Sequence, residues 1–201
     1  HRLIFFALCA WLLTPVELPA SQTLINGPMV GHVSDSQACV WAKASGRARL
    51  AVKISDSPEF SDAQMVAGPM LEADTDFAGA VIVGGLRPAT RYYYALLLDG
   101  RPAAVSPYPA FETAPEAGKP ARGRVAFVSC AGQGARQAGA GWGDRASGSK
   151  FDLLLMLGDN HYANSTDPAV VRAAYGDHRS AAGFRHIAAR TPTYGIWDDH
   201  D

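Results

Sequence analysis

Residues 158–162 run Gly-Asp-Asn-His-Tyr, and residues 197–201 run Trp-Asp-Asp-His-Asp. Both are dense in groups that hold cations or move protons. Gly158 lets the backbone turn sharply, so that Asp159 can face a metal with both oxygens and bridge a pair of ions. Tyr162, three residues on, can return to the same centre as a phenolate. Ser129-Cys130 offers a thiol nearer the amino terminus. A thiolate and a phenolate suit an iron-type ion, whereas oxygen ligands alone suit Ca²⁺, Mg²⁺ or Mn²⁺. Gly-Asp alone would describe nothing more than a capped turn. The run from Asp198 to Asp201 puts carboxylates and an imidazole side by side, and without a cation such like charges would disfavour one another's ionisation. His200 is suited to a general acid, to holding a phosphate oxygen, or to metal ligation, because an unperturbed imidazole titrates near pH 6.5.

Each of these groups ends an apolar run. Residues 124–129 lead into Cys130, residues 151–157 into Gly158-Asp159, and residues 193–197 into the acidic cluster. Short buried strands explain such runs, and ligand sites in open α/β sheets form at the carboxyl ends of strands. Neighbouring strands lie about 4.8 Å apart, so three strand ends can converge on one or two cations. Asp167-Pro168 predicts a helix start, with Asp as the cap and Pro in the first turn. That helix carries Val170, Val171 and Ala174. Residues 180–190 predict a second short helix, stopped near Pro192. Strands alternating with helices imply an α/β layer over residues 124–201.

The preceding part has a different period. Gln37–Ala42 and Ala48–Ile54 alternate apolar and polar residues, with Leu50, Val52 and Ile54 on one face. Asp99-Gly100 predicts a hairpin turn after the strand that begins near Tyr92. Regular short strands of this kind predict a β-sandwich over residues 21–116, joined by a Gly- and Pro-bearing linker, 117–123, to the α/β part. His32 is expected in a loop, Trp41 in the core, and Cys39 as a buried small hydrophobe. The remaining thiol, Cys130, is expected to act separately from Cys39. Residues 1–20 resemble a secretory signal peptide whose start is missing. Leu3–Leu13 is apolar after Arg2 and is followed by Pro15 and small residues. Eleven apolar residues fall short of the roughly 20 that span a bilayer, so no stable membrane span is expected after cleavage, and the protein is expected to be secreted or periplasmic. The chain has 201 residues, 48% of them hydrophobic, enough to bury a core. Its net charge of −1 gives no basic surface for nucleic acid. Nothing in the sequence sets an oligomeric state.

Two resemblances sharpen this reading. Residues 85–94, Gly-Leu-Arg-Pro-Ala-Thr-Arg-Tyr-Tyr-Tyr, resemble the Gly-Leu-x-Pro-x-Thr-x-Tyr-x-Tyr run of fibronectin type III domains, which implies that Tyr92 forms a tyrosine corner. Ser129-Cys130, Gly158-Asp159-x-x-Tyr162 and Trp197–Asp201, in that order, resemble successive motifs of the PhoD-like alkaline phosphatase and phosphodiesterase family of the calcineurin-like metallophosphoesterases. The fold class implied is a fibronectin type III-like β-sandwich followed by an incomplete α/β metallophosphoesterase domain. The resemblance implies hydrolysis of phosphate mono- or diesters outside the cytoplasm by two metal ions, iron plus calcium or another divalent metal. It places Cys130 and Tyr162 on the iron, Asp159 between both metals, Asp199 on the second metal and His200 in catalysis. His161 is left as a supporting residue. Most metallophosphoesterases have Gly-Asn-His where this chain has Asp198-Asp199-His200, so Asp199 takes the place of the Asn or a residue after Asp201 does. The family's later ligands are expected beyond Asp201, so the 201 residues alone are expected to be inactive. Two other readings remain at this stage: a purple acid phosphatase-type enzyme, which Cys130 disfavours, and an extracellular binding protein carrying an inactive phosphoesterase domain.

Overall fold

A computed structural model describes residues 21–131, 142 and 151–201. The leader-like segment and most of the Gly/Ala-rich loop after Ala131 lie outside the described residues. The chain is mostly β. Strands β1 (Leu24–Val33), β2 (Gln37–Ala44) and β5 (Ala78–Gly84) form one antiparallel sheet in the order β1-β2-β5. A second antiparallel sheet runs β4-β3-β6-β7 from Gln64–Leu71, Ala48–Ser55, Arg91–Leu98 and Arg101–Pro102, with β8 (Ala110–Glu112) paired to β6.

Alternation produces the packing between these sheets. In β3, Leu50, Val52 and Ile54 are buried while Arg49, Ala51 and Lys53 between them turn outward, because successive side chains of a strand point to opposite faces. They meet Val40, Val81, Val83, Tyr94 and Phe111 in one closed core. Asp99 and Gly100 both have positive φ, 50° and 78°, at the β6–β7 turn, the geometry a two-residue hairpin needs to match strand twist. Tyr92 forms the expected corner, its hydroxyl accepting the Arg87 N–H at 3.0 Å. Three expectations need correction. His32 lies within β1, exposed, not in a loop. Trp41 and Cys39 are only half-buried, because they fall on the outward face of β2, opposite the inward Ala38, Val40 and Ala42. Cys39 and Cys130 are free thiols.

The remaining strands form a parallel sheet in the order β11-β10-β9, from Thr193–Ile196, Leu153–Leu157 and Val125–Val128. Register places Leu154 beside Ala126 and Thr193, and Met156 beside Val128 and Gly195. This face is covered: Leu154 and Met156 are buried with Trp142, Phe184 and Ile187. Two helices lie here, α1 (Pro168–Ser180) and α2 (Ala182–Ala188): α2 supplies Phe184 and Ile187 to the cover, and the His178 ring of α1 packs against Phe184, 4.7 Å between centroids. Asp167 caps α1 by accepting the Ala169 N–H at 2.8 Å, with Pro168 in the first turn. The opposite face carries Val125, Phe127, Leu157, Tyr194 and Ile196, all exposed, Phe127 at 74%.

Side chains tie this layer to the sandwich. Asn26 of β1 donates to the Gly176 carbonyl and to Ser180 Oγ of α1. The Arg179 guanidinium lies 4.8 Å from the ring centroids of both Trp41 and Tyr175, a cation–π sandwich that gives outward-facing Trp41 its occupation. Tyr94 donates to the Ala189 carbonyl at 2.8 Å, and His32 Nδ1 lies 2.7 Å from the Tyr194 hydroxyl. Among the described residues no helix is long and apolar enough to cross a membrane.

Candidate metal centre at three strand ends

The three parallel strands end side by side, so the residues after them meet. Backbone bonds carry the β9–β10 pairing past the strands: the Cys130 N–H reaches the Gly158 carbonyl at 3.4 Å and the Ala131 N–H reaches Asp159 O at 3.0 Å. Cys130 and Asp159 then both adopt left-handed backbone, with φ of 52° and 51°. Such geometry costs a non-glycine residue of order 1–3 kcal/mol and persists only where surroundings impose it. Gly158 has φ of 88°, and a Cβ there would lie 2.6 Å from Asp198 Cβ. Only glycine lets the β10 and β11 ends approach this closely.

Asp159 sits at the centre. Its Oδ2 lies 3.5 Å from Cys130 Sγ and accepts the Tyr162 hydroxyl at 3.4 Å. Its Oδ1 is buried and has no hydrogen-bond partner among the described residues. One ligand atom each from Asp159, Asp199 and His200 falls within a mutual 4.8 Å. The geometry thus brings together Asp159, Asp199 and His200, and attaches Cys130 and Tyr162 through Asp159. The hydrogen bond with Cys130 is the largest influence on Tyr162; with partial burial and the negative charge of Asp159 it pushes the phenol up to about 12. With no cation present the phenol keeps its proton. A cation reverses that preference, since a nearby positive charge favours the anion. A buried unpartnered carboxylate oxygen beside a thiol, a phenol, a carboxylate and an imidazole is a donor set that fits metal ions, sulfur and phenolate on one side and oxygens on the other.

His200 is held from outside the cluster. Its Nδ1 lies 2.6 Å from Asn164 Oδ1, which can only accept, so Nδ1 carries the proton and Nε2 is left for chemistry. Nε2 is 4.0 Å from Asp199 Oδ2, and the ring lies over Tyr162 with centroids 4.7 Å apart. His161 points the other way. It is buried against the Tyr175 ring, 3.9 Å centroid to centroid, and its Nδ1 accepts the Ala163 N–H at 3.2 Å. Burial lowers its pKa, and no ligand atom of the cluster is its partner.

Sequence reasoning missed Asn160, Asn164 and Asp201. Asn160 and Asp201 lie inside quoted motifs, and burial is what distinguishes them. Asn160 donates through Nδ2 to the Ile196 carbonyl and to Asp201. Nothing in the sequence marks Asn164. A cleft of about 310 Å³ lies between β6 and α2, lined by Tyr94, Leu96, Arg185 and Arg190 among others, and contains none of the strand-end residues; the donor chemistry, not the cavity, locates the candidate site.

Residues 21–116 match a domain of unknown function, DUF7800. No curated protein matches the sequence. Among solved structures the chain is similar to PhoD, with a TM-score of 0.74 and 19% identity over 90% of this chain. It spans 40% of the length of that PhoD chain. Weaker likenesses are to the FN1–FN3 domains of chicken CNTN1 (TM-score 0.32, 15% identity, 42% of this chain and 30% of that one) and to the fn3 domain of human contactin 1 (TM-score 0.32, 11% identity, 56% and 98%). The fold is PhoD-like.

Proposed function

We propose that the protein hydrolyses phosphate mono- or diesters at a two-metal site built on Asp159. The observation that carries this reading is the division of labour within one carboxylate. Oδ2 lies between a thiol and a phenol, while Oδ1 is buried without a partner among the described residues. Burying an unpaired charged oxygen is costly, and a cation removes the cost. The PhoD-like fold and the order of the strand-end motifs support the same reading.

Cys130, Tyr162 and Asp159 would hold an iron-type ion, and Asp159 with Asp199 a second, oxygen-preferring ion such as calcium. When bound, two metal ions supply an acidified water and positive charge for the developing phosphoryl oxygens. The chain's own residues would do the rest. His200, oriented by Asn164 at Nδ1, would act in its doubly protonated form, presenting Nε2–H to a phosphate oxygen or passing that proton to the leaving group. Asp198, packed against Gly158, would fix the spacing of the β10 and β11 ends. Left-handed backbone at Cys130 and Asp159 would aim both side chains before a metal arrives. We further propose an extracellular or periplasmic location, on the leader-like segment at residues 1–20.

The test is metal content and bis(p-nitrophenyl) phosphate hydrolysis by the full-length protein, beside a Cys130→Ala, Asp159→Asn double variant. Bound metal and hydrolysis, both lost in the variant, are the expected result. Wild-type protein that holds no metal and cleaves no ester would instead favour a binding module carrying an inactive phosphoesterase domain.

A further inference from the structure

The geometry points to Asp201 as a positioning residue that locks the β10 and β11 ends into one ligand set, an inference that rests on the metal-site reading above. The Asp201 side chain is only 1% exposed, and both of its oxygens are fully engaged. Oδ1 accepts the Asn160 N–H at 2.8 Å and the His161 N–H at 3.1 Å. Oδ2 accepts Asn160 Nδ2 at 3.0 Å and the Asp198 N–H at 3.2 Å. A carboxylate offers about four acceptor positions, and these bonds fill them. Asp201 therefore has no lone pair left for a cation, in contrast to Asp159, whose Oδ1 has no partner among the described residues.

The donors come from both sides of the site. Asn160 and His161 belong to the loop that carries Asp159 and Tyr162. Asp198 belongs to the segment that carries Asp199 and His200. Asn160 adds a second tie, through Nδ2 to the Ile196 carbonyl at 2.9 Å. One buried carboxylate thus sets the distance between ligands on two strands without touching the metal. Its hydrogen bonds are charge-assisted, the kind that fix geometry. An amide at position 201 would turn an NH₂ group toward N–H donors and lose at least one oxygen's pair of bonds.

The experiment uses the full-length protein, with Mn²⁺ as the probe metal. Wild type, Asp201→Asn, Asn160→Ala and Asp152→Asn are compared by calorimetric Mn²⁺ titration and by amide exchange. Asp152 is exposed and accepts the Arg124 N–H at the far ends of β9 and β10, so it controls for loss of a carboxylate elsewhere. Outer contacts that orient ligands are worth about 10–100-fold in metal affinity. Asp201→Asn is expected to raise the Mn²⁺ Kd by that factor and to free the Asn160, His161 and Asp198 amides to exchange. Asn160→Ala, the milder variant should Asp201→Asn not fold, is expected to raise it several-fold, and Asp152→Asn to leave it within twofold. Unchanged Kd in Asn160→Ala together with Asp201→Asn, or freely exchanging amides in the wild type, would overturn the inference. Wild-type protein that takes up no Mn²⁺ would overturn the metal-site reading itself, a failure visible before any variant is compared.

Discussion

The sandwich and the parallel sheet are built from similar short apolar strands, yet they use their polar groups in opposite ways. In the sandwich, buried polar atoms are consumed internally. The Tyr92 hydroxyl takes the Arg87 N–H, and Thr113 Oγ1 donates to the Arg87 carbonyl at 2.6 Å and accepts the Thr90 N–H at 2.9 Å. At the parallel strand ends, one buried carboxylate oxygen, Asp159 Oδ1, has no such partner among the described residues. The apolar faces differ likewise. Both inner faces of the sandwich are closed over, whereas one face of the parallel sheet is left exposed among the described residues, although parallel sheets are ordinarily covered on both. Function is expected where contacts are left incomplete, because a site must hold interactions in reserve for what it binds.

The sharpest way to break this contrast is Asp159→Asn. Under the proposed function the residue serves a ligand and not the fold. Ester hydrolysis should fall by about 100- to 1000-fold, the scale of removing one preorganised charge-stabilising group. Thermal stability of the metal-free protein should hold or rise slightly, since the variant relieves a carboxylate beside Asp199. A large drop in the metal-free melting temperature with activity retained would show that Asp159 is structural.

The apolar faces give the next largest effect. Leu50→Ala empties a fully buried position in the sandwich core, and such truncations cost about 2–5 kcal/mol. Phe127→Ala removes a larger side chain from the bare face, and should cost less than about 1 kcal/mol, because surface positions lose little on truncation. Chemical denaturation of the two variants measures both. Equal destabilisation would mean that Phe127 is covered in the folded protein, and the contrast between the two faces would fall.

Much of this contrast was legible in the sequence, for reasons that can be traced to particular residues. Leu50, Val52 and Ile54 announce their buried face because a strand has a strict period of two. Asp99-Gly100 and Asp167-Pro168 announce a hairpin and a helix cap because their backbone preferences are local. Cys130, Asp159, Tyr162, Asp199 and His200 stand out because each follows an apolar run. Trp41 and Cys39 were misplaced because hydrophobicity does not tell which face of β2 turns outward, and the partner of Trp41 on that face, Arg179, lies far along the chain. His32 was given to a loop because its partner within the extended β1, Tyr194, lies 162 residues away. Asn160, Asn164 and Asp201 were missed for a related reason. Their importance lies in hydrogen bonds across 36 to 41 residues, and spacing within one motif carries no record of those.

The helical layer between the two regions supplies a pH test. His178 is 3% exposed, and neither ring nitrogen has a hydrogen-bond partner among the described residues. Burial first, then the neighbouring Arg179 charge, lowers its pKa to about 4. The unfolded imidazole titrates near 6.5, so between those values the unfolded chain binds the extra proton. Stability is therefore full above about pH 6.5 and is lost as pH falls toward 4, by about 2–3 kcal/mol. His161, lowered chiefly by burial, adds in the same direction. Denaturation midpoints across that range should slope downward on acidification, and His178→Leu should flatten the slope. A profile unchanged by His178→Leu would remove this residue from the account and leave His161 to explain any slope.

The smallest effect is also the cleanest separation of the two regions. Tyr92→Phe deletes one hydroxyl that accepts the Arg87 N–H inside the sandwich, and a single such bond is worth about 1 kcal/mol. The ring still packs beside Phe111, 6.3 Å between centroids, so no cavity forms. Denaturation should register that loss alone. Mn²⁺ affinity and ester hydrolysis should not change, because nothing on the Tyr92 hydroxyl reaches α1, α2 or the strand ends. The sandwich does touch the parallel layer, through Asn26, Trp41, Tyr94 and His32, and all of those contacts leave from other residues. A change in metal affinity on Tyr92→Phe would mean that strain in the corner passes through β6, where Tyr94 holds the Ala189 carbonyl, and that the two regions are one mechanical unit.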